Sequence, residues 1–208
     1  MFSECPPSRP RVTARDRLLD AAVRLVRENG YGATSVDALC AAAGVTKGAF
    51  FHHFASKEAL GIAAAEHWRA HAAGLFDHAA YRTDPDPVAR VLGYVDHRAA
   101  LIAGAPAEFS CLAGTMVQEV HETHPGLRDA CRDSIHGHGD SLAADFDAAI
   151  AACGVTGVTG IGLARHVQTV LQGGFVMAKA SNDAAAAQEA VAHLRRYLVL
   201  IFGKGDGS

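Results

Sequence analysis

The sequence predicts an all-α protein, and three observations carry that prediction. Alanine recurs along the whole chain, strict polar–apolar alternation is absent, and Pro and Gly gather at intervals that suit helix ends. Half of the 208 residues are apolar and the net charge is −3, which excludes a disordered tail protein. The charge is unevenly shared. Residues 1–57 hold eight lysines and arginines against five acids, or +3, and the remainder holds eleven against seventeen, or −6. A basic head on an acidic body fits phosphate contact by one end only. The N-terminus has arginines and prolines but no apolar signal-peptide stretch, and the longest strongly apolar run, residues 197–202, is too short to span a bilayer. A cytoplasmic location is therefore expected, with no membrane partner. Five cysteines, Cys5, Cys40, Cys111, Cys131 and Cys153, are odd in number and lack a CxxC, as reduced thiols would be.

Residues 1–12 read as a flexible basic arm. Thr13 can cap a first helix, on which Leu18, Ala22, Leu25 and Val26 recur at helical spacing and which Asn29-Gly30 ends. Thr34 or Ser35 caps a short second helix carrying Val36, Leu39 and Ala43, which stops at Gly44. Thr46 caps a third that runs to about His53. Ser56 opens a long fourth helix reaching about Ala80, with Glu58 at its positive end. Four or five further helices are expected, punctuated at residues 104–106, 124–126, 154–162 and 181–183.

Two short helices joined by Gly44-Val45-Thr46 form a helix-turn-helix signature, because glycine allows a left-handed turn and threonine caps the next helix. Phe50 and Phe54, four apart, should face inward against Val23, Leu39 and Leu60. This leaves Lys47, Phe51 and His52 outside, with Gly48 adding no side chain to hold the helix away from a surface. A compact three-helix core with a merely solvated basic face is the competing account. The glycine–threonine turn, the charge asymmetry and an outward aromatic at Phe51 favour insertion into the major groove of DNA.

Residues 13–57 resemble the DNA-binding domain of the TetR family of bacterial transcriptional regulators. The resemblance rests on Leu18-Leu19-Asp20-Ala21-Ala22, Asn29-Gly30-Tyr31, Thr34-Ser35-Val36, Ala42-Ala43-Gly44-Val45, Thr46-Lys47-Gly48 and Phe54-Ala55-Ser56-Lys57-Glu58-Ala59-Leu60. It implies that Thr46, Lys47, Gly48, Phe51 and His52 face the groove and that Thr34, Ser35 and Lys57 contact phosphates at helix ends. The family usually has tyrosine where this chain has Phe51, so a phosphate-bonding hydroxyl is missing here.

The resemblance further implies that residues 58–208 form a helical domain that pairs two chains and holds a small-molecule effector. The expected function is that of a transcriptional regulator, a repressor released from a palindromic double-stranded operator by a small, mostly apolar effector. The last two helices suit the homodimer seam. Gly162, Gly173 and Gly174 permit close approach, and Val191, Leu194, Leu198 and Ile201 supply an apolar stripe, with burial inside the monomer as the alternative. Candidate pocket residues are Phe109, Cys111, Met116, Phe146, Gln168, Gln172, Phe175 and Met177, each of which also suits ordinary core. Gln168 and Gln172, one turn apart, would orient a ligand by hydrogen bonds. No basic cluster is evident in the body, which argues against a strongly anionic ligand.

Other chemistries compete less well. His121, His124, His136 and His138 lie near Cys131, Asp129 and Asp133, but His136-Gly137-His138 splays its rings around a helix. These histidines read as surface residues, and no metal or other cofactor is expected. Cys111, near a helix N-terminus, suggests an alternative regulator that senses oxidants or electrophiles through its thiol. An enzyme on a helical scaffold finds no nucleophile elbow, Walker loop or dinucleotide fingerprint, so no catalytic residue is assigned. A nonspecific architectural protein would need more head charge than +3.

Overall fold

In a computed structural model of the chain, residues 12–203 are described. The arm expected over residues 1–12 therefore lies, except for Val12, outside the described residues. The elements are α1 (Ala14–Asn29), α2 (Val36–Ala43), α3 (Lys47–His53), α4 (Lys57–Asp77), a short 3₁₀ turn (Ala80–Thr83), α5 (Pro87–Ala100), α6 (Pro106–Phe109, one turn), α7 (Leu112–Val120), α8 (Pro125–Asp140), α9 (Ala143–Cys153), α10 (Gly160–Ser181) and α11 (Ala185–Ile201). No strand occurs among the described residues.

The first four helices begin where local chemistry says they should. The side chains of Thr13, Ser35, Thr46 and Ser56 each accept a hydrogen bond from the backbone N–H three residues on, satisfying a donor that helix geometry leaves open. At α1 the cap is reciprocal, since Asp16 accepts from the backbone N–H of Thr13. Beyond α4 the chain is more broken than the expected four or five helices. Ser110 and Cys111 are extended and separate α6 from α7, with the Cys111 sulfur accepting from the Gly114 N–H as a serine cap would. Ser141 and Leu142 separate α8 from α9.

Two cores result. In one, Leu18, Leu39, Phe50 and Leu60 of α1–α4 pack with Met116, Leu127 and Cys131 of α7 and α8. In the other, Val91 and Tyr94 of α5 pack with Phe146 of α9 and with the facing sides of α10 and α11. Cys111 touches both. The stripe expected at a dimer seam is corrected here: Val191, Leu194 and Leu198 are buried in the second core and Ile201 is half-buried against it. The apolar groups left outside on this helix pair are Val176, Met177, Tyr197 and Leu200, the last 79% exposed. No helix among the described residues is long and apolar enough to cross a membrane.

Candidate nucleic-acid interface and interior cavity

The turn before α3 is fixed by two backbone hydrogen bonds, Gly44 N–H to Ala41 O at 3.2 Å and Val45 N–H to Cys40 O at 3.0 Å. They close a Schellman motif that needs the left-handed backbone of Gly44, at φ 61°. Phe50 (fully buried) and Phe54 anchor the seven-residue α3 from below. Its other side is open. Thr46, Lys47, Gly48, Phe51 and His52 are all exposed, and Phe51 stands 57% exposed although it is one of the larger apolar side chains of the head. Ser35, at the start of α2, is also exposed. Lys47 is tethered across to α2, its Nζ 2.8 Å from Asp37 Oδ1. That hydrogen bond and charge hold the lysine's pKa above its ordinary value.

Behind this face the head is fastened to the body. Glu119, near the end of α7, accepts hydrogen bonds from the backbone N–H groups of Tyr31 (2.9 Å) and Gly32 (2.7 Å). Lys57 Nζ donates to the carbonyls of Tyr31 (2.9 Å) and Thr34 (3.1 Å) and lies 4.3 Å from the centre of the Tyr31 ring.

A cavity of about 260 Å³ lies among α4, α5, α8 and α10, closed at one side by Arg82 of the 3₁₀ turn. Phe76, His138, Gln168 and Gln172 are among its walls, and Cys111 reaches it from the α7 cap. Gln168 Nε2 donates to the Tyr94 hydroxyl (3.0 Å), which stands 2.9 Å from His138 Nε2. The hydroxyl thus joins the α10 amide to the α8 imidazole. Burial, with Arg98 and Arg82 nearby, pushes the His138 pKa down from 6.5 to about 4. Between those two pH values the unfolded chain binds a proton that the folded chain refuses, so stability should fall as pH drops through that window. Denaturation at a series of pH values checks this, and His138→Gln should flatten the dependence relative to wild type. A larger cleft of about 490 Å³ between α1, α4 and α6 is lined by charged residues that include the pairs Arg24–Glu28 (3.3 Å) and His67–Asp20 (3.2 Å).

Residues 18–64 match the family model described as bacterial regulatory proteins, tetR family. This head segment is TetR-family sequence. Among curated relatives it is similar to the transcriptional regulator AcuR of Cereibacter sphaeroides, at 29% identity over 132 residues, 57% of this chain and 60% of that one. It is also similar to YerO of Bacillus subtilis, an uncharacterized HTH-type transcriptional regulator, at 37% over 54 residues, 26% of this chain and 19% of that one. The matches thus span between about a fifth and three-fifths of these two relatives' lengths. A solved TetR-family regulator from Agrobacterium tumefaciens has the same fold, with a TM-score of 0.77 at 22% identity over 88% of this chain and 96% of that one.

Two residues of this head expected to reach phosphates face the other way. Thr34 is 3% exposed and its hydroxyl donates to Gly30 O (2.7 Å), while Lys57 is half-buried on the carbonyls of Tyr31 and Thr34. Both hold the α1–α2 turn together, because buried carbonyls there would otherwise lack donors. Among the candidate pocket residues, Cys111, Gln168 and Gln172 line the cavity. Phe109 and Phe175 pack on each other behind it, their ring centres 5.9 Å apart. Met116 lies instead in the core under the head, Phe146 is wholly enclosed by the second core, and Met177 is 61% exposed on the outer side of α10. His138, expected at the surface, is inside, whereas His121 and His136 are exposed. Among the described residues no three His, Cys, Asp or Glu side chains gather as metal ligands. The sequence expectation also missed the cavity's arginines, Arg69, Arg82 and Arg98. Arg98 was detectable: it continues the stripe of Val88, Val91 and Val95 at helical spacing, placing a charge in register with buried valines.

Proposed function

We propose that the protein is a sequence-specific DNA-binding transcriptional regulator, acting as a repressor that a small molecule in the interior cavity releases from its operator. Residues 13–57 are then the DNA-binding domain and residues 58–208 the ligand-binding and dimerisation domain. The observation that carries the reading is the outward face of α3. A short helix, held on a buried Phe50–Phe54 base, presents Thr46, Lys47, Gly48, Phe51 and His52 together to solvent. Such a helix fits the major groove. Ser35 is the exposed helix-end residue left to contact phosphate.

A homodimer through α10 and α11 explains the apolar groups that neither core covers. The ring of Tyr197 on α11 meets that of His166 on α10 at 5.1 Å, and Met177 and Leu200 are exposed on the same two helices. Two heads at a spacing of about 34–36 Å, or a multiple of it, would read a palindrome. Filling the cavity would shift α4, which runs from the head to the cavity wall, and would alter that spacing. A second reading, in which Cys111 modification is the signal, is favoured by its position at the cavity and at the cap of α7, the helix that grips the head through Glu119.

The test is titration against the DNA flanking the protein's own gene, with a scrambled duplex as control and the stoichiometry measured by sedimentation. Specific binding by two chains per duplex is expected. Lys47→Ala should weaken it by about tenfold or more and reduce the salt dependence by about one released counterion. Asp37→Asn should strengthen it, because it frees Lys47 and removes a carboxylate that would face phosphates. Equal affinity of all three proteins at matched salt would reject the assignment of α3. Release by oxidant in wild type but not in Cys111→Ser would favour the thiol reading.

A further inference from the structure

The cavity that we assign to the effector has a half-buried cationic group with no hydrogen-bond or carboxylate partner of its own. Arg98, in the last turn of α5, lines it with its guanidinium carbon 5.1 Å from the centre of the Phe76 ring and 5.7 Å from that of Phe175. Rings on two sides fix the position of the planar fork but accept none of its five N–H donors conventionally. Among the described residues no carboxylate, carbonyl or amide oxygen accepts from it. The other cavity charges are accounted for. Asp77 is the one acid on the described walls, and it takes Arg82 at 3.3 Å, which also lies 4.0 Å from Asp145. Arg69 is exposed at the rim. His138, 2.9 Å from the Tyr94 hydroxyl, has its pKa held low by burial and the two arginines. The wall thus holds three guanidinium groups, those of Arg69, Arg82 and Arg98, against one carboxylate.

We infer that the effector is a small organic acid whose single carboxylate pairs with Arg98 while its carbon skeleton lies against Phe76, Trp68 and Ile135. The Arg98 fork matches one carboxylate in bidentate geometry. The Gln168 and Gln172 amides stand on the α10 wall to orient a polar substituent. At about 260 Å³ the space is below the range of about 300–1,000 Å³ usual for drug-sized ligands, so the acid is compact. The depressed pKa of His138, owed first to burial and then to Arg98 and Arg82, agrees with a positive field that Asp77 only partly offsets. The expectation from sequence disfavours a strongly anionic ligand, and a single carboxylate is compatible with it. The inference rests on the cavity being the effector site, but its chemistry can be tested apart from that.

The experiment is calorimetric titration and thermal shift of the full-length protein with butanoate, benzoate and their primary amides, which match them in shape but not in charge. Each acid is expected to bind roughly ten- to a hundredfold more tightly than its amide. Arg98→Gln should remove that preference, Arg98→Lys should keep part of it, and Arg69→Gln should leave it intact. Amides that bind as well as the acids, acids that bind Arg98→Gln as they bind wild type, or no binding by either acid would overturn the inference. The acid–amide comparison in wild type requires no variant to fold. The same acids are then added to the DNA complex: acid binding at Arg98 without loss of DNA would uphold the anion site and reject the effector role.

Discussion

Gly48→Ala should leave the protein as stable as before, or slightly more so, and remove most of its affinity for DNA. A Cβ built at Gly48 meets nothing closer than the Thr46 hydroxyl at 3.7 Å, an ordinary contact, and the backbone there is helical and exposed. Within a helix, alanine is favoured over glycine by roughly 0.8–1.0 kcal/mol. Nothing within the chain therefore asks for glycine at this position, and its own helix would be better without it. The requirement comes from outside if another surface must approach the α3 backbone between Lys47 and Phe51. A methyl group there would hold a base edge or sugar away and cost the contacts on both sides, with an expected loss of about tenfold or more, the scale of one good groove contact. Thermal denaturation and fluorescence anisotropy on an operator duplex give the two numbers. Unchanged affinity would mean that α3 does not enter the groove in this orientation.

Glu119→Gln should lower the melting temperature by several degrees and, more tellingly, separate effector binding from DNA release. The carboxylate accepts from two backbone N–H groups of the head's first turn, at 2.9 and 2.7 Å, and its Oε1 lies 2.6 Å from where a Gly30 Cβ would be. Hydrogen bonds to a charged group contribute about 1.5–3 kcal/mol each, and partial solvation of this one puts it toward the lower end. The same helix begins at Cys111 on the cavity wall, and Gly114 leaves room on it for the Gln172 amide of α10. At about 1.5 Å per residue, the nine residues of α7 make a strut of roughly 13 Å from cavity to head. In Glu119→Gln the effector should bind as in wild type, by calorimetry, yet release the operator at higher concentrations. Gly30→Ala, whose methyl would collide with the Glu119 carboxylate at a φ of 89°, should behave alike. Release at the wild-type concentration in both variants would mean that the Glu119 carboxylate does not carry the signal.

The head was legible because its signals are local. A cap and the N–H it serves lie three residues apart, and the Gly44 turn closes within six, so Thr13, Ser35, Thr46 and Ser56 can be read one window at a time. Thr34 and Lys57 misled because exposure depends on a turn whose carbonyls the sequence does not display. The cavity was less legible, since its walls come from residues far apart in the chain and each alone resembles core. Gln168 and Gln172 stood out as polar groups on an apolar helix, but Arg69, Arg82 and Arg98 form no run. Periodicity also says that a face is buried without saying by what. Val191, Leu194 and Leu198 have the spacing of a seam, and the helices that cover them belong to the same chain. Met116 has the burial expected of it, on the other side of α7 from the cavity.

The first core has a practical consequence for anyone wishing to recombine such proteins. Leu18, Leu39, Phe50 and Leu60 are closed over by Leu112, Met116, Leu127 and Cys131, which lie well beyond the family-defining segment 18–64 and come from two later helices. A chimera cut after residue 57 would carry the reading surface of α3 while leaving behind the floor on which it rests. Such a graft would have to bring matching residues at positions 112, 116, 127 and 131, and a carboxylate at 119, or the transplanted reader would lose its footing before it met any DNA.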